Sequence, residues 1–218
     1  MQPLQDLVRR PSLFKHKFEA VDFVHSRLDS MGIDTVSVPF DLAVLTRLPA
    51  AQKPFSAVQG RRNLVARLPG RGGGRSLVLN CHLDVVPAGD EQDWRHPPFA
   101  GQVKDGGIYG RGAYDDKAGA AICLALLESL AVCGGERRGD LIVHFVLEDE
   151  CTGNGSLLCL EGGHEETRPL LLMARGSTGA FACMQATAKC PSASKAPPNS
   201  TLCSAPSTTV TRQPFAKK

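Results

Sequence analysis

Apolar positions along the first 164 residues switch between two periods, and the switches predict alternating helices and strands. Phe18, Val21, Phe23, Val24, Leu28 and Met31 recur at helical spacing and predict a helix over 17–31, stopped by Gly32. Val36 and Val38 open a short strand, 39–60 reads as an irregular connection, and 62–68 reads as a second strand. Pro69 and the glycines up to Gly74 then turn the chain into a third strand, which carries His82. No Lys-Ser/Thr pair and no helix follows that turn, so it is read as a hairpin loop rather than a phosphate cradle. Ala118, Ala121, Ile122, Ala125, Leu126 and Leu130 define the apolar face of a helix over 116–133, ended by Gly134 and Gly135. Residues 141–147 form an unbroken apolar run, the pattern of a strand buried on both faces of an α/β sheet.

Candidate chemistry sits where these strands end. Side chains alternate along a strand, so His82 and Asp84 point the same way at the carboxyl end of the third one. A neutral imidazole there can bind a metal through one nitrogen while a carboxylate fixes its tautomer. On their own the two residues fit better a surface histidine beside a turn-forming aspartate ahead of Pro87. The apolar run 141–147 delivers Glu148, Asp149 and Glu150 to its own carboxyl end, where ligands of open α/β sheets gather. His96 and His144 read as structural, and His16, His25 and His164 as solvated. Trp94, Pro97, Pro98 and Phe99 read as a wall over the sheet edge, and no Gly-x-Ser-x-Gly elbow marks a serine hydrolase.

Three segments in order change the weight of these readings: Asn80-Cys81-His82-Leu83-Asp84, Gly110-Arg111-Gly112-Ala113-Tyr114-Asp115-Asp116-Lys117, and Glu148-Asp149-Glu150-Cys151-Thr152-Gly153-Asn154-Gly155. Together, over residues 4–164, they resemble the zinc-dependent aminoacylase and carboxypeptidase family, which includes acetylornithine deacetylase and succinyl-diaminopimelate desuccinylase. The resemblance implies a three-layer αβα sandwich around a mixed, mostly parallel sheet. It also implies two zinc ions, for which cobalt or manganese would be chemically acceptable substitutes. On that pattern His82 binds one ion, Asp115 bridges both, Glu150 binds the second, Asp84 steers the site, and Asp149 is the general base. The family usually has two consecutive glutamates where this chain has Asp149-Glu150. An aspartate is one methylene shorter, and misplacing a proton acceptor by about an ångström can cost roughly a hundredfold in rate. A shifted frame would make Glu148 the base and put Asp149 on the metal; Asp149 as base is preferred because 150–155 matches the deacetylase-like branch.

Composition sets the outer bounds. A chain of 218 residues with 42% hydrophobic and 22% charged residues can bury a sizeable core. Its net charge of +3 is uneven: residues 165–218 hold seven Lys/Arg against two Asp/Glu, leaving 18 against 20 in 1–164. A slightly acidic body argues against a nucleic-acid-binding face. No apolar run is long enough for a bilayer, no signal peptide is evident, and the eight cysteines include no Cys-x-x-Cys pair. The expectation is a reduced, cytoplasmic protein acting on a small N-acyl amino acid or peptide.

The resemblance fades after His164. Family members go on to supply another acid, a lid domain and a final histidine, whereas the segment from Leu170 to Arg175 holds no acid and none of Asp, Glu or His follows Glu166. From 187 to 218, 20 of 32 residues are Ser, Thr, Pro or Ala, a composition expected to be disordered. The expected organisation is therefore a partial zinc-hydrolase catalytic domain over 1–164 and a divergent tail over 165–218, as in a truncated enzyme. Each zinc would lack one protein ligand, so amide hydrolysis by this chain alone is expected to be impaired; the alternative is a non-catalytic, weakly metal-binding fragment.

Overall fold

The computed structural model describes residues 2–13, 18–55, 57–134, 136–162, 170–174 and 181–185. The chain divides into two compact units, Met1–Thr187 and Ala188–Lys218, and the second lies outside the described residues together with the disorder expected there. His16 and His164 lie outside them too.

The chain runs α1 (Gln2–Val8), α2 (Glu19–Ser30), β1 (Asp34–Pro39), α3 (Leu42–Leu45), β2 (Arg62–Leu68), β3 (Leu77–His82), β4 (Gln102–Lys104), β5 (Gly107–Tyr109), α4 (Lys117–Cys133), β6 (Leu141–Val146), α5 (Asn154–Glu161), β7 (Leu170–Ala174) and β8 (Phe181–Gln185). Among these residues one sheet has the order β1-β2-β6-β3-β7-β8, and β4-β5 form a separate ribbon. The main sheet is mixed, as expected, though not mostly parallel among the described strands, where two pairings are parallel and three antiparallel. Its parallel pairings are confined to the centre, β6 with β3 and β3 with β7, and the outer pairings are antiparallel. Strands β7 and β8 extend the sheet beyond residue 164.

The central strand is the one the apolar run marked. All six residues of β6 are buried, His144 included, so both of its faces are covered. Side chains of β3 show by what: Asn80 bonds Ser156 of α5 at 3.0 Å, while the next residue, Cys81, lies against Cys123 of α4. Neighbouring strand residues face opposite ways, so α4 and α5 cover opposite faces and the fold is a three-layer αβα sandwich. Phe145 is fully buried in this core. Phe145→Ala is expected to lower unfolding stability by about 3–5 kcal/mol, read by urea denaturation with an unchanged m-value.

Three sequence expectations are corrected. Residues 69–74 are not a hairpin loop, because β6 lies between β2 and β3 and pairs with both. The glycines there serve close approach instead: a Cβ at Gly70 would stand 2.5 Å from the Gly139 carbonyl oxygen. The buried face of α4 is Lys117, Ala120, Cys123, Leu124 and Leu127, while Ile122 is 60% exposed. That helix is apolar around most of its circumference, so periodicity alone could not select the face. The connection 39–60 contains the single turn α3, capped by the Asp41 carboxylate, which accepts from the Ala43 and Val44 amides. Helix α1 has no counterpart in the expectations.

Candidate metal centre

Parallel pairing of β3 with β6 brings the two reactive strand ends together. His82 stands opposite Val146, so the chain leaves both strands at the same sheet edge. The 110–117 loop reaches the same edge and is fastened from behind: the carboxylate of Asp116 accepts from the His82 amide at 3.2 Å. Gly112 has φ +77, and a Cβ on it would stand 2.5 Å from Val85, so the loop can close only with glycine there.

The imidazole of His82 is buried and fixed at both ends. Its Nδ1 lies 3.0 Å from the backbone oxygen of Asp84, which can only accept, so Nδ1 carries the hydrogen. Nε2 is then the nitrogen with the lone pair, and it faces Asp115 Oδ1 at 3.0 Å. A lone pair does not rest against a carboxylate oxygen unless a cation lies between them, a proton or a metal ion. One ligand atom each from His82, Asp115 and Glu150 lies within 4.8 Å of the others. Imidazole nitrogen with two carboxylate oxygens is a donor set that suits zinc, cobalt or manganese. The residues present therefore fit the metal that the resemblance implies.

Asp84 is nearly inaccessible, and its two oxygens accept from the Asp149 amide at 3.3 Å and the Glu150 amide at 3.2 Å. It thus pins the acidic loop to the end of β3. Burial pushes its carboxyl up to about 6, against the pull of His82. Burial likewise pushes Asp116 up to about 7 and raises Glu150. For His82 burial acts downward, yet Asp84, Asp149 and Asp116 together outweigh it and raise the imidazole. Several acids around one imidazole form a hole that favours a cation.

Glu148 is turned away from this hole. It is buried in the αL region (φ 68), pairs with Arg61, and accepts from the Phe55 amide at 3.1 Å and the Thr152 hydroxyl at 2.8 Å. That geometry gives no support to Glu148 as a base. Asp149 is half-buried, its charge acts on His82 and Glu150, and its Oδ1 accepts from the Ser156 hydroxyl at 3.3 Å. Of the wall residues, Trp94 bonds the Ala88 oxygen at 2.9 Å and carries the Arg111 guanidinium over its ring at 5.1 Å. His96 packs edge-on against Tyr109. Sequence reasoning missed Arg61, Asp116 and Lys117; the last two stood in the quoted segment, but nothing in their spacing assigned them partners.

Comparison with known proteins places this arrangement. Residues 78–193 match Peptidase family M20/M25/M40, just over half of the chain and past residue 164. Succinyl-diaminopimelate desuccinylase of Rhodopseudomonas palustris is 35% identical over 161 residues, covering 72% of this chain and 37% of that relative. The enzyme of the same description from Bradyrhizobium diazoefficiens is 36% identical, covering 74% and 35%. The chain thus spans little more than a third of the length of these curated relatives. Among solved structures, human carnosine dipeptidase 1 superposes with a TM-score of 0.61 at 18% identity, covering 78% of this chain and 37% of that one. A Bacillus subtilis protein described as a dinuclear metal-binding peptidase superposes with a TM-score of 0.51 at 19% identity, covering 74% and 38%. With residues 78–193 matched and these relatives 35% and 36% identical over 72% and 74% of it, the chain belongs to Peptidase family M20/M25/M40.

Proposed function

We propose that this chain carries the metal-ligating part of a hydrolase that cleaves the amide bond of N-acyl amino acids or small peptides. The observation that carries the reading is the convergence of His82, Asp115 and Glu150 at one sheet edge. Asp115, half-buried with its Oδ1 3.0 Å from His82 Nε2, would be the carboxylate shared between two ions. When bound, such ions would polarise a carbonyl and acidify water. The chain's own groups do the rest. Asp84 fixes the acidic loop, the Asp84 carbonyl fixes the His82 tautomer, and Asp149 is the proton acceptor beside the ligands. Arg111 on Trp94 walls one side, where its positive charge acts on Glu150.

Among the described residues each ion would have two protein ligands, His82 with Asp115 and Glu150 with Asp115, one fewer than a catalytic zinc usually keeps. Binding by this chain alone is therefore expected to be weak and turnover slow, which keeps a weakly metal-binding, non-catalytic role as the second reading. Five free cysteines among the described residues, three of them buried, support a reducing compartment such as the cytoplasm. Among the described residues no helix is long and apolar enough to cross a membrane.

The test is zinc stoichiometry and affinity by equilibrium dialysis, beside His82→Ala and Asp115→Ala. Measurable binding that drops about 10-fold or more in His82→Ala and is abolished in Asp115→Ala is the expected result. Binding unchanged by both substitutions would sink the assignment. Hydrolysis of N-succinyl and N-acetyl amino acids is then assayed on the zinc-loaded chain.

A further inference from the structure

The amino-terminal segment touches the loops that carry His82, Asp84 and Asp115, and the group that ties it there is a buried ammonium. Lys117 is fully buried, and its Nζ donates to the carbonyl oxygens of Leu7 at 2.9 Å and Arg10 at 2.8 Å. Leu7 lies in the last turn of α1 and Arg10 just past it, and the Leu7 oxygen also accepts from the Arg10 amide at 3.1 Å. Lys117 is also two residues from Asp115, and its amide closes the loop on the Gly112 oxygen at 3.0 Å. Ser12 grips the other strand end. Its hydroxyl donates to the Leu83 oxygen, and its carbonyl accepts from the Val85 amide at 3.3 Å, so it brackets Asp84. Between these anchors Gln5 bonds the Gly101 oxygen at 2.9 Å and Arg9 bonds the Ala100 oxygen at 3.1 Å. Val8 lies so near Gly110 that a Cβ there would stand 2.4 Å from it.

We infer that residues 2–12 form a strap that sets the spacing of the metal-ligating loops, with Lys117 as the positioning residue that holds Asp115 opposite His82. The inference rests on the metal-site reading above. Packing alone does not explain the ammonium, since an apolar side chain of similar length would fill the same volume without desolvating a charge. What the ammonium adds is direction: its hydrogen bonds to two fixed carbonyls leave the 112–117 loop one position relative to β3. Lys117 touches neither substrate nor metal in this scheme; it acts through Asp115.

Cobalt titration of the full chain, read by visible absorption, compares the unaltered protein with Lys117→Met, and both are melted without metal. The expected result is a loss of cobalt affinity of about 10–100-fold while the metal-free protein stays folded. Equal affinity in the two proteins would overturn the strap. An unaltered chain that binds no cobalt would instead overturn the metal-site reading, and the strap with it. Should Lys117→Met melt lower or fail to fold, Ser12→Ala decides, because it removes only the hydroxyl bond to Leu83. Affinity reduced severalfold at an unchanged Tm supports the strap, and unchanged affinity refutes it.

Discussion

Glu148→Gln is expected to cost the fold about 3–5 kcal/mol, because it leaves a buried guanidinium without its counter-charge. Both members of the Arg61–Glu148 pair are almost wholly inaccessible, with side-chain exposures of 2% and 0%. The carboxylate also receives the Phe55 amide, the Thr152 hydroxyl and, at 3.4 Å, the Asn154 amide group. An amide in its place turns one acceptor into a donor facing other donors, and unsatisfied polar groups add to the loss. This network ties the 51–61 connection to the loop that presents Asp149 and Glu150, through Asn154, which also bonds Gln52 at both its amide and its carbonyl. Glu150→Gln is expected to do the reverse: little change in Tm, since the residue is half-buried, and loss of metal affinity. Chemical denaturation and zinc dialysis on the two variants separate the roles. A Glu148→Gln protein as stable as the unaltered one would remove the structural role and reopen Glu148 as a base.

The same two residues show where sequence reading reaches and where it stops. The run 141–147 announced a doubly buried strand because nothing polar but His144 interrupts it, and the structure agrees. His82 and the acidic triplet were legible as a site because strand ends in an α/β sheet converge by topology, before any distance is known. Which of three consecutive acids faces the site was not legible: it depends on the left-handed turn at Glu148 and on Arg61, 87 residues away. The order β2-β6-β3 was hidden for a related reason, since local turn chemistry at 69–74 cannot reveal that a later strand inserts between two earlier ones. The face of α4 was lost to composition, because Lys117 was not counted as core while Ile122 was. A lysine belongs in a core only if specific acceptors are waiting, and the acceptors here are backbone carbonyls in and just past a helix that the pattern did not disclose.

Without metal, stability is expected to fall as pH rises from about 4 to about 7, the opposite of ordinary acid denaturation. Burial raises Asp84 from 3.8 to about 6 and Asp116 from 3.8 to about 7, so the folded chain holds protons that the unfolded chain has released. A group raised in this way stabilises fully below its unfolded pKa and loses that contribution as pH climbs through its folded value. His82 acts in the same sense: its folded pKa stands above 6.5 because its acidic neighbours outweigh burial, so its contribution fades above that pH. Lys117 has the opposite sign. Burial lowers it from 10.5 to about 7, so it penalises the fold by a constant amount below pH 7 and relieves the penalty above. The metal-free protein should therefore be least stable near neutrality. At about 1.4 kcal/mol for each tenfold change in proton affinity, the two aspartates amount to on the order of 5 kcal/mol across this window. Zinc requires His82 Nε2 to be free of its proton and the ligating carboxylates ionised, so zinc affinity rises over the same range in which the metal-free fold weakens. Melts at about pH 4.5, 6 and 7.5 in a chelator, repeated with saturating zinc, should give a zinc-induced rise in Tm that is small in acid and grows toward neutrality. A metal-free Tm that climbs steadily between those limits would mean that the buried aspartates ionise without cost, and that the acids at this sheet edge are not waiting for a cation.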